Sequence, residues 1–569
     1  MHAAADDRDE AVTSVDAVDA AYGRLREAGR PEVWITVRDE ADALAEAAAV
    51  DRRTAAGERL PLAGTVAAVK DNIDVAGLPT TAGSRAYAYD PDADATSVAR
   101  LRAAGAVVIG KTNLDQFATG LVGTRSPFGA VRNAWDPERI SGGSSSGSAV
   151  ATALGIVDLA LGTDTAGSGR VPAALNGVHG VKPTRGLVPA TGVVPACRTL
   201  DCVTVFARDL PLARRAVELM SGPDGADPLA RPDRPAPALD AAPRVAVPAP
   251  EHLDGLADGW AEAFGRVVED LAATGAEIVE VDIAPLLEAA ALLYGGAFVA
   301  ERTVAVGDFI AAHPELVGDD LDPTVAAIVL AGRQAGAVDY VRDRERLDRL
   351  ALDGLTRLAG TAALLTPTTT GHPTLAEVAA DPVGANARLG RYTNFANLLD
   401  RSALAVPAGA VAGLPFGVML TGAPFADRTL AQLAERIAAP PVELLVVGAH
   451  LRGQPLNHQL VSAGGSFVAD VRTAPSYRLY ALPTTPPKPG LARVAAGGAS
   501  VAGELWRLPA TGFGAFVAGL PQPMGIGAVR LDDGRLVSGF GCEPVAIEGA
   551  LDITGHGGWR AYLADTTRS

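Results

Sequence analysis

The stretch SGGSSSGSAVATALGIVDLALGTDTAGSGRVPA, residues 141–173, contains six serines and seven glycines but no histidine or cysteine. Its middle part, IVDLALGTD, is apolar on both faces of an extended chain, which is typical of a buried strand. Glycine weakens regular structure, so glycines on both sides of a strand indicate that the backbone itself has a role. A flexible loop ahead of a helix is the simplest alternative. The lysine of a phosphate-binding loop is missing, and the nucleophile elbow G-x-S-x-G is absent around Ser168.

The sequence around this stretch predicts an α/β fold. The runs TVAAVK and AAGAVVIGKT are also apolar on both faces and predict buried strands. Residues 15–30 and 38–50 predict amphipathic helices, and residues 255–360 are mostly helical in pattern. Such an alternation of strands and helices is typical of an α/β domain. Residues 223–252 are rich in proline and alanine and predict an exposed excursion.

The pattern changes after residues 436–443, RIAAPPVE, which predict a linker. Beyond them, runs such as SYRLYALP, GELWRLP and GHGGWRAYL predict short strands separated by turns. A chain of 569 residues is too long for one ordinary core. We therefore predict two domains, residues 1–440 and residues 443–569, of which the second is smaller and β-rich.

Composition narrows the classes of function. The formal net charge of −17 and the isoelectric point near 5.0 disfavour binding to nucleic acid or to an anionic membrane surface. Neither a disulfide framework nor a zinc site fits the three cysteines, Cys197, Cys202 and Cys542. The N-terminal residues MHAAADDRDEAV lack the apolar run of a signal peptide, and no apolar run is long enough to span a bilayer. We expect a cytoplasmic protein.

Three motifs, in this order, resemble the amidase signature family. They are VAAVKDNIDVAG around Lys70, SGGSSSGSA around Ser144, and GTDTAGSGRVPA around Ser168. The two serines lie 24 positions apart, as in that family, and the resemblance covers roughly residues 60–430. It implies the amidase signature fold, a mixed β-sheet core surrounded by helices, and amide hydrolysis without a metal or an organic cofactor. One departure is Gly169, where many members carry a bulky apolar residue, and it predicts a changed acyl pocket or a separate subfamily.

The resemblance implies that Ser168 is the nucleophile and that Ser144, which follows a cis peptide bond, relays its proton to Lys70. A serine hydroxyl needs a base, and lysine is a base only when neutral, so its pKa must fall from about 10.4. Lys70 ends an apolar run, where burial lowers the pKa of a lysine. The alternative is a buried salt bridge between Lys70 and Asp71 or Asp74.

The backbone after the strand is the candidate oxyanion hole, because small residues let N–H groups converge on one oxygen. Asp164 and Arg170 are expected to pair and to brace this loop. Ser145 and Ser146 are expected to make hydrogen bonds within the loop rather than to react. The candidate oxyanion donors are the N–H groups of Thr165, Ala166, Gly167 and Ser168.

Within the family, the run TNLDQFATGLVGTRSPFG and the third motif resemble the allophanate hydrolases, whose substrate is a urea that carries a carboxylate. This resemblance implies that Tyr294 and Arg302, eight positions apart, bind the carboxylate from one face of a helix. Arginine suits bidentate recognition of a carboxylate. The alternative is a surface arginine paired with Glu301 or Asp308.

The second predicted domain resembles the C-terminal domain of allophanate hydrolases, which has a γ-glutamyl-cyclotransferase-like β fold. In that family the domain is linked to decarboxylation of N-carboxycarbamate, the product of the first domain. His450, directly after an apolar run, is the better candidate for this step and His458 the second, because histidine exchanges protons near neutral pH. His556 is expected to be a turn residue. A role in assembly alone is the alternative for this domain.

The expected function is hydrolysis of allophanate to N-carboxycarbamate and ammonia, followed by loss of carbon dioxide and release of a second ammonia. The loop from Gly120 to Gly123 is expected to contact the substrate. A homodimer and a separate urea carboxylase, or another allophanate-producing enzyme, are implied by the resemblance, and no nucleic acid or membrane partner is expected. Three alternatives stay open: an ammonia-supplying component of an amidotransferase, an amidase for another small amide, and a catalytically inactive scaffold.

Overall fold

The computed structural model describes residues 13–234, 239–438, 442–463, 465–508 and 510–566. The chain divides into two compact units, Met1–Arg266 with Ile278–Glu435, and Val267–Glu277 with Arg436–Ser569. The predicted domain boundary near residue 440 touches residues 439–441, which lie outside the described residues. The same holds for residues 1–12, on which the signal-peptide expectation rests.

The first unit is built on a mixed sheet of eleven strands in the described part of the chain. Their spatial order is β1-β3-β2-β4-β6-β5-β10-β11-β9-β7-β8. In chain order the strands are β1 Trp34–Val37, β2 Val66–Lys70, β3 Val107–Thr112, β4 Leu159–Asp164, β5 His179–Lys182, β6 Cys202–Ala207, β7 Arg244–Pro248, β8 Glu277–Val281, β9 Ala363–Pro367, β10 Ser402–Val411 and β11 Leu414–Gly422.

Helices alternate with these strands, and a π-helical turn, Thr303–Gly307, interrupts one helical stretch. The helices are α1 Ser14–Ala28, α2 Glu40–Ala55, α3 Thr96–Ala103, α4 Ser146–Ala153, α5 Val171–Asn176, α6 Leu210–Met220, α7 Trp260–Ala273, α8 Ala284–Gly295, α9 Ala300–Arg302, α10 Asp308–Ala312, α11 Pro323–Ala331, α12 Ala337–Arg357, α13 Leu375–Ala380, α14 Pro382–Leu389, α15 Asn394–Leu398 and α16 Asp427–Ala438.

The centre of the sheet follows from the apolar runs. Every residue of β2, β3 and β4 is buried, as the two-sided apolar pattern predicts, and β2 pairs in parallel with both β3 and β4. Parallel strands bring their carboxyl ends to one edge of a sheet, so Lys70, Thr112 and Asp164 all end their strands at that edge. The predicted α/β class and the mixed sheet with surrounding helices are confirmed.

Two expectations for this unit are wrong in part. Residues 223–252 are not only an exposed excursion, because Arg244–Pro248 forms β7, four of whose five residues are buried, and pairs in parallel with β9. Residues 235–238 of that stretch lie outside the described residues. Tyr294 and Arg302 do not share one continuous helix, since α8 ends at Gly295 and a short 3₁₀ turn precedes α9.

The second unit contains a five-stranded sheet of order β13-β16-β12-β18-β17 and a three-stranded sheet of order β15-β14-β19 among the described residues. GHGGWRAYL, predicted as a strand, is instead a turn that leads into a C-terminal helix. The elements are β12 Val442–Val446, α17 Asn457–Ser462, β13 Ser466–Arg472, β14 Tyr477–Leu482, β15 Lys488–Arg493, β16 Ala502–Leu508, α18 Ala510–Ala518, β17 Met524–Arg530, β18 Leu536–Cys542, β19 Leu551–Asp552 and α19 Trp559–Thr566.

A search of the described residues for membrane spans finds no single helix that is both long and apolar enough to cross a bilayer. The bent pair Ala284–Gly295 and Ala297–Ala312 meets the criteria jointly, by length and composition only.

Candidate active site

Lys70 lies at the carboxyl end of β2 and is fully buried. Its Nζ donates to Ser144 Oγ at 2.7 Å and to Thr163 Oγ1 at 2.8 Å. Burial lowers the pKa of Lys70 to about 7, although the more distant carboxylates of Asp115 and Asp201 raise it. A substantial fraction of Lys70 is therefore neutral near pH 7 and able to accept a proton.

The salt-bridge alternative for Lys70 does not hold. Asp71 instead pairs with Lys111 of β3, with 3.1 Å between Asp71 Oδ1 and Lys111 Nζ and both side chains buried. Asp74 accepts hydrogen bonds from the hydroxyls of Thr80 and Tyr89. Within the described residues, no carboxylate oxygen lies within ion-pair distance of Lys70.

Ser144 follows a cis peptide bond from Gly143 and precedes α4. The next two serines have roles in the loop, as predicted: Ser145 Oγ donates to the carbonyl oxygen of Thr163 at 3.1 Å, and Ser146 Oγ to that of Asn113 at 3.3 Å. The first of these bonds joins the start of α4 to the end of β4. It holds the loop that carries Ser144 against the strand that carries Thr163.

Ser168 lies four residues beyond the end of β4 and is buried. Its Oγ donates to the carbonyl oxygen of Gly120 at 3.5 Å, a long hydrogen bond. In the described part of the chain no hydrogen bond joins Ser168 Oγ to Ser144 Oγ. The hydroxyl of Ser168 is therefore held only loosely by the loop that contains Gly120.

The backbone between β4 and Ser168 has unpaired donors. Among the described residues, the N–H groups of residues 165–168 donate no hydrogen bond. Gly167 has φ of +145°, and a Cβ there would overlap Oγ1 of Thr393, so only glycine fits. Backbone N–H groups that lack an acceptor in a buried loop can bind a negatively charged oxygen.

Asp201, the residue before β6, supports this loop. Its Oδ1 accepts from Thr165 Oγ1 at 2.5 Å, and its Oδ2 accepts from the N–H of Ala196 at 2.9 Å. Burial raises the pKa of Asp201 to about 6, against the lowering effect of these hydrogen bonds. Asp201 and Thr165 are 36 positions apart in the chain, and no local pattern indicates that they contact each other.

Asp164 and Arg170 brace the same loop, as predicted. The guanidinium of Arg170 donates to both carboxylate oxygens of Asp164, at 2.9 and 2.8 Å, and both side chains are fully buried. Burial raises the pKa of Asp164, but Arg170 outweighs it and holds that pKa below its ordinary value. Asn397 adds a hydrogen bond to the carbonyl oxygen of Asp164 at 2.8 Å.

Arg302 is 1% exposed and has no carboxylate partner within ion-pair distance in the described residues. Its Nη2 donates to the hydroxyl of Tyr294 at 3.1 Å, and its guanidinium carbon lies 5.0 Å from the centre of the Tyr294 ring. Its Nε has no hydrogen-bond partner. Glu301 instead bonds Thr199, and Asp308 pairs with Arg333, so the surface-pair alternative does not hold.

The loop at residues 117–125 lies between Arg302 and Ser168. Asp115 Oδ2 accepts from the N–H groups of Val122 and Gly123 at 3.1 and 3.0 Å. The carbonyl oxygen of Gly123 accepts from Val131, so both backbone groups of Gly123 are paired within the loop. Gly120, by contrast, directs its carbonyl towards Ser168.

A cavity of about 750 Å³ opens beside Tyr294 and is lined mostly by apolar side chains of α8, α11 and α14. Arg125 and Asn386 also line it. Arg125 donates to the carbonyl oxygen of Thr119, and Asn386 accepts from the N–H of Leu121. The cavity therefore adjoins the loop that contacts both Arg302 and Ser168.

In the second unit, His450 lines a separate cavity of about 220 Å³ together with Gln459, Lys488 and Phe540. The imidazole stacks on Phe540 with 4.9 Å between ring centres, and its Nε2 lies 3.0 Å from Gln459 Oε1. Burial lowers the pKa of His450. The other two histidines singled out from the sequence lie elsewhere: His458 is exposed, and His556 is part of a 3₁₀ turn, as predicted.

Comparison with known proteins decides the family. Residues 16–431 match the family described as amidase, which is well over half of the chain. The chain belongs to the amidase family. Residues 442–564 match the allophanate hydrolase C-terminal domain.

Several relatives of this amidase combine the same two parts. The structure of allophanate hydrolase from Kluyveromyces lactis is 40% identical, has a TM-score of 0.70 and covers 97% of each chain. Urea amidolyase from Lachancea kluyveri is 43% identical over 93% of this chain, which spans only 31% of that relative. A crystal structure described as an amidase is 32% identical, has a TM-score of 0.65 and covers 75% of this chain and 96% of its own.

Sequence reasoning missed several residues of this amidase site. Thr163, the second hydrogen-bond acceptor of Lys70, lies on β4 just before Asp164 and carried no signal of its own. Asp115 lies inside the quoted run TNLDQFATG, and the general signal there is that aspartate side chains commonly accept hydrogen bonds from backbone N–H groups of their own loop. Within the described residues, no group of three or more His, Cys, Asp and Glu is arranged to hold a metal ion.

Proposed function

We propose that this chain is an allophanate hydrolase, which releases ammonia from allophanate and forms N-carboxycarbamate. The observation that carries the proposal is Arg302, a buried guanidinium with an unpaired Nε and no carboxylate partner in the described chain. A buried cation without a counterion is costly, and an anionic ligand removes that cost. The relatives named allophanate hydrolase and urea amidolyase support the same substrate.

The nucleophile in this proposal is Ser168. Ser144 passes the proton of Ser168 Oγ to the neutral amine of Lys70, to which it is already hydrogen-bonded. Ser168 Oγ then forms a bond to the terminal carbonyl carbon of allophanate. For this step the hydroxyl must leave its long hydrogen bond to Gly120 and turn towards Ser144. Thr163 holds the lysine amine in place while the proton arrives.

Attack places a negative charge on the carbonyl oxygen. The open N–H groups of residues 165–168 are positioned to bind that oxygen, and such donors contribute about 3 kcal/mol each. Lys70 then returns the proton through Ser144 to the terminal nitrogen, and the carbon–nitrogen bond breaks to release ammonia. A water molecule repeats the attack on the acyl-enzyme and frees N-carboxycarbamate and Ser168.

Arg302 and Tyr294 hold the substrate carboxylate. Nη1 of Arg302 is engaged by the 117–125 loop and one Nη2 hydrogen by Tyr294, which leaves Nε–H and the second Nη2 hydrogen. Two adjacent N–H groups match the two oxygens of a carboxylate. Of the loop predicted to contact substrate, Gly120 is the member we retain, because the backbone groups of Gly123 are occupied.

We assign decarboxylation of N-carboxycarbamate to the second unit, with His450 as the proton-exchanging group of its own cavity. When the carbon–nitrogen bond breaks and carbon dioxide leaves, the nitrogen keeps the electron pair and takes up a proton, and His450 is the group that we assign to this proton exchange. The domain division at residues 440–443, a homodimer, a cytoplasmic location and a carboxylase that supplies allophanate remain predictions of the sequence.

The test is ammonia release from allophanate and from biuret, which has a carboxamide in place of the carboxylate. We expect wild type to prefer allophanate by at least about 100-fold in kcat/KM, since a charged hydrogen-bonded pair is worth about 3 kcal/mol. Malonamate, another carboxylated amide, should also be cleaved. A wild-type enzyme that cleaves biuret as well as it cleaves allophanate would leave the amidase assignment intact and overturn this substrate.

A further inference from the structure

We propose that Thr119 couples recognition of the substrate carboxylate to placement of the nucleophile, so that the carboxylate raises kcat as well as lowering KM. This inference rests on the proposed function, because it takes Arg302 as the carboxylate-binding group and Ser168 as the nucleophile. It makes Thr119 a positioning residue, which contacts neither substrate nor reacting atoms.

Thr119 links the proposed carboxylate-binding residue, Arg302, to the residue that contacts the proposed nucleophile, Gly120. Its Oγ1 accepts a hydrogen bond from Arg302 Nη1 at 2.9 Å, and Arg302 also donates to the carbonyl oxygen of Ala118 at 3.4 Å. The next residue, Gly120, accepts the only hydrogen bond that Ser168 Oγ makes among the described residues. One peptide unit therefore separates the arginine contact from the nucleophile contact.

The backbone on both sides of Thr119 cannot adjust freely. Phe117 and Ala118 have φ of +50° and +52°, a region that residues with a Cβ rarely adopt. Gly120 has φ of +157°, and a Cβ there would lie 2.6 Å from Asp115 Oδ2. Asp115 also accepts from the N–H groups of Val122 and Gly123, so it holds the segment beyond Gly120 as well.

The anchors of this segment differ in kind. Asp115 on one side and Arg125, which donates to the carbonyl oxygen of Thr119 at 3.2 Å, are held by bonds within the chain itself. The Nε of Arg302, like that of Arg125, has no hydrogen-bond partner among the described residues, and Arg302 is the anchor to which we assign the substrate carboxylate. A carboxylate that completes its hydrogen bonding fixes the guanidinium, and the bond to Thr119 Oγ1 then keeps the Gly120 carbonyl oxygen at 3.5 Å from Ser168 Oγ, a long hydrogen bond that the hydroxyl can leave for Ser144.

The physical consequence is that the enzyme distinguishes allophanate from a neutral amide in the catalytic step, through kcat. A neutral amide leaves Arg302 incompletely paired and the Gly120 carbonyl free to approach Ser168, so the hydroxyl stays bound to Gly120 and turns towards Ser144 less often. An interaction realised only with the correct substrate raises kcat, whereas uniform binding lowers KM alone. A threonine that merely supported the fold would affect both substrates alike.

The experiment measures kcat and KM for allophanate and biuret in wild type, Thr119→Val and Thr119→Ser. Valine keeps the shape and removes the hydroxyl, and serine restores it. We expect Thr119→Val to lower kcat for allophanate at least 10-fold and kcat for biuret no more than threefold, with Thr119→Ser near wild type. Thr366→Val is the matched control, because Thr366 is a buried threonine whose hydroxyl has no partner, and it should leave both values unchanged.

A double-mutant cycle separates coupling from structure. In an Arg302→Ala background, Thr119→Val should have no further effect on kcat, since the link it breaks is already gone. Equal losses for the two substrates, a change in KM alone, or additive losses in the cycle would each overturn the coupling. If Thr119→Val does not fold, Thr119→Ala carries the same expectation. A wild-type enzyme with no preference for allophanate overturns the proposed function instead, which the biuret values reveal independently of any variant.

Discussion

Four of the buried cations of the first unit fall into two kinds. Lys111 and Arg170 are paired with carboxylates, at 3.1 Å from Asp71 and at 2.8 Å from Asp164. Lys70 and Arg302 are equally buried, yet no carboxylate lies within ion-pair distance of either in the described residues.

This difference separates the cations that stabilise the fold from the cations that are available for binding or catalysis. A buried ion pair holds its neighbours in place, and removal of one partner costs about 3–5 kcal/mol because a charge is left alone. A buried basic group without a carboxylate partner instead lowers the stability of the fold. It remains able to bind an anionic substrate or, when neutral, to accept a proton. Of these four, the paired cations therefore belong to the framework, and the two without a carboxylate are those to which we assign chemistry.

The two lysines provide the largest expected contrast. Lys70→Met should lower kcat at least about 10³-fold, because the base is gone, and should stabilise the fold by up to about 4 kcal/mol at pH 7. Lys111→Met should leave Asp71 buried and unpaired, destabilise the fold by about 3–5 kcal/mol, and retain activity in the folded fraction. Ammonia release and denaturant unfolding measure both. Loss of stability in Lys70→Met would contradict the division.

The two arginines give the next contrast. Arg302→Lys keeps the charge but loses the planar pair of donors, and should reduce kcat/KM for allophanate about 100-fold with little change for biuret. Arg170→Lys breaks a bidentate pair and should lower stability by about 3 kcal/mol, with both substrates affected alike. Thermal unfolding and the two-substrate assay separate these outcomes. A selective loss in Arg170→Lys would show that the brace also reads the substrate.

The pH dependence sharpens the comparison for Lys70. Since its pKa in the folded chain is about 7, kcat/KM should rise with pH through about 7 as the amine loses its proton. In the unfolded chain the amine keeps its proton to about 10.4, so between these values the unfolded state binds more protons and stability rises with pH. Lys70→Met should remove that part of the slope. A flat rate profile from pH 6 to 8 would contradict Lys70 as the base.

Asp201 gives the smallest expected effect and is the acidic counterpart of the unpaired cations. It has no cation partner within ion-pair distance among the described residues, and burial raises its pKa to about 6. Asp201→Asn keeps one acceptor oxygen and should lower kcat about 3–10-fold with KM unchanged, because Thr165 and the N–H groups after it are less well held. Steady-state kinetics at pH 8 is the measurement. An unchanged kcat would remove Asp201 from the support of this loop.

The local sequence pattern predicted the strands that hold the site, but it did not predict the side-chain contacts between those strands. The apolar run before Lys70 predicted both the buried strand and the lowered pKa, since both follow from the residues on either side. The resemblance supplied Ser144, 74 positions away along the chain. Thr163, Asp201 and the loop contacts of Thr119 depend on which strands and loops become neighbours, and no residue type announces that.

The failures have the same physical origin. The proline- and alanine-rich residues before Arg244–Pro248 dominate the local composition and predict an exposed excursion. The segment is instead the strand β7, which is buried where it pairs with β9. Tyr294 and Arg302 meet as predicted, but across a break in the helix rather than along one face. The resemblance therefore named two residues that do contact each other, although helical spacing is not what brings them together.

The glycine after Ser168, the proposed nucleophile, has a consequence for redesign of this enzyme. A Cβ on Gly169 would lie 2.7 Å from Cγ2 and 2.8 Å from Oγ1 of Thr204, so a larger side chain at position 169 has no room in this chain. The residue types allowed at positions 169 and 204 therefore depend on each other, although the two positions are far apart in the sequence. A mutant library that varies them together should yield active enzymes with a bulkier residue 169, while single substitutions at 169 should be lost from the selected pool.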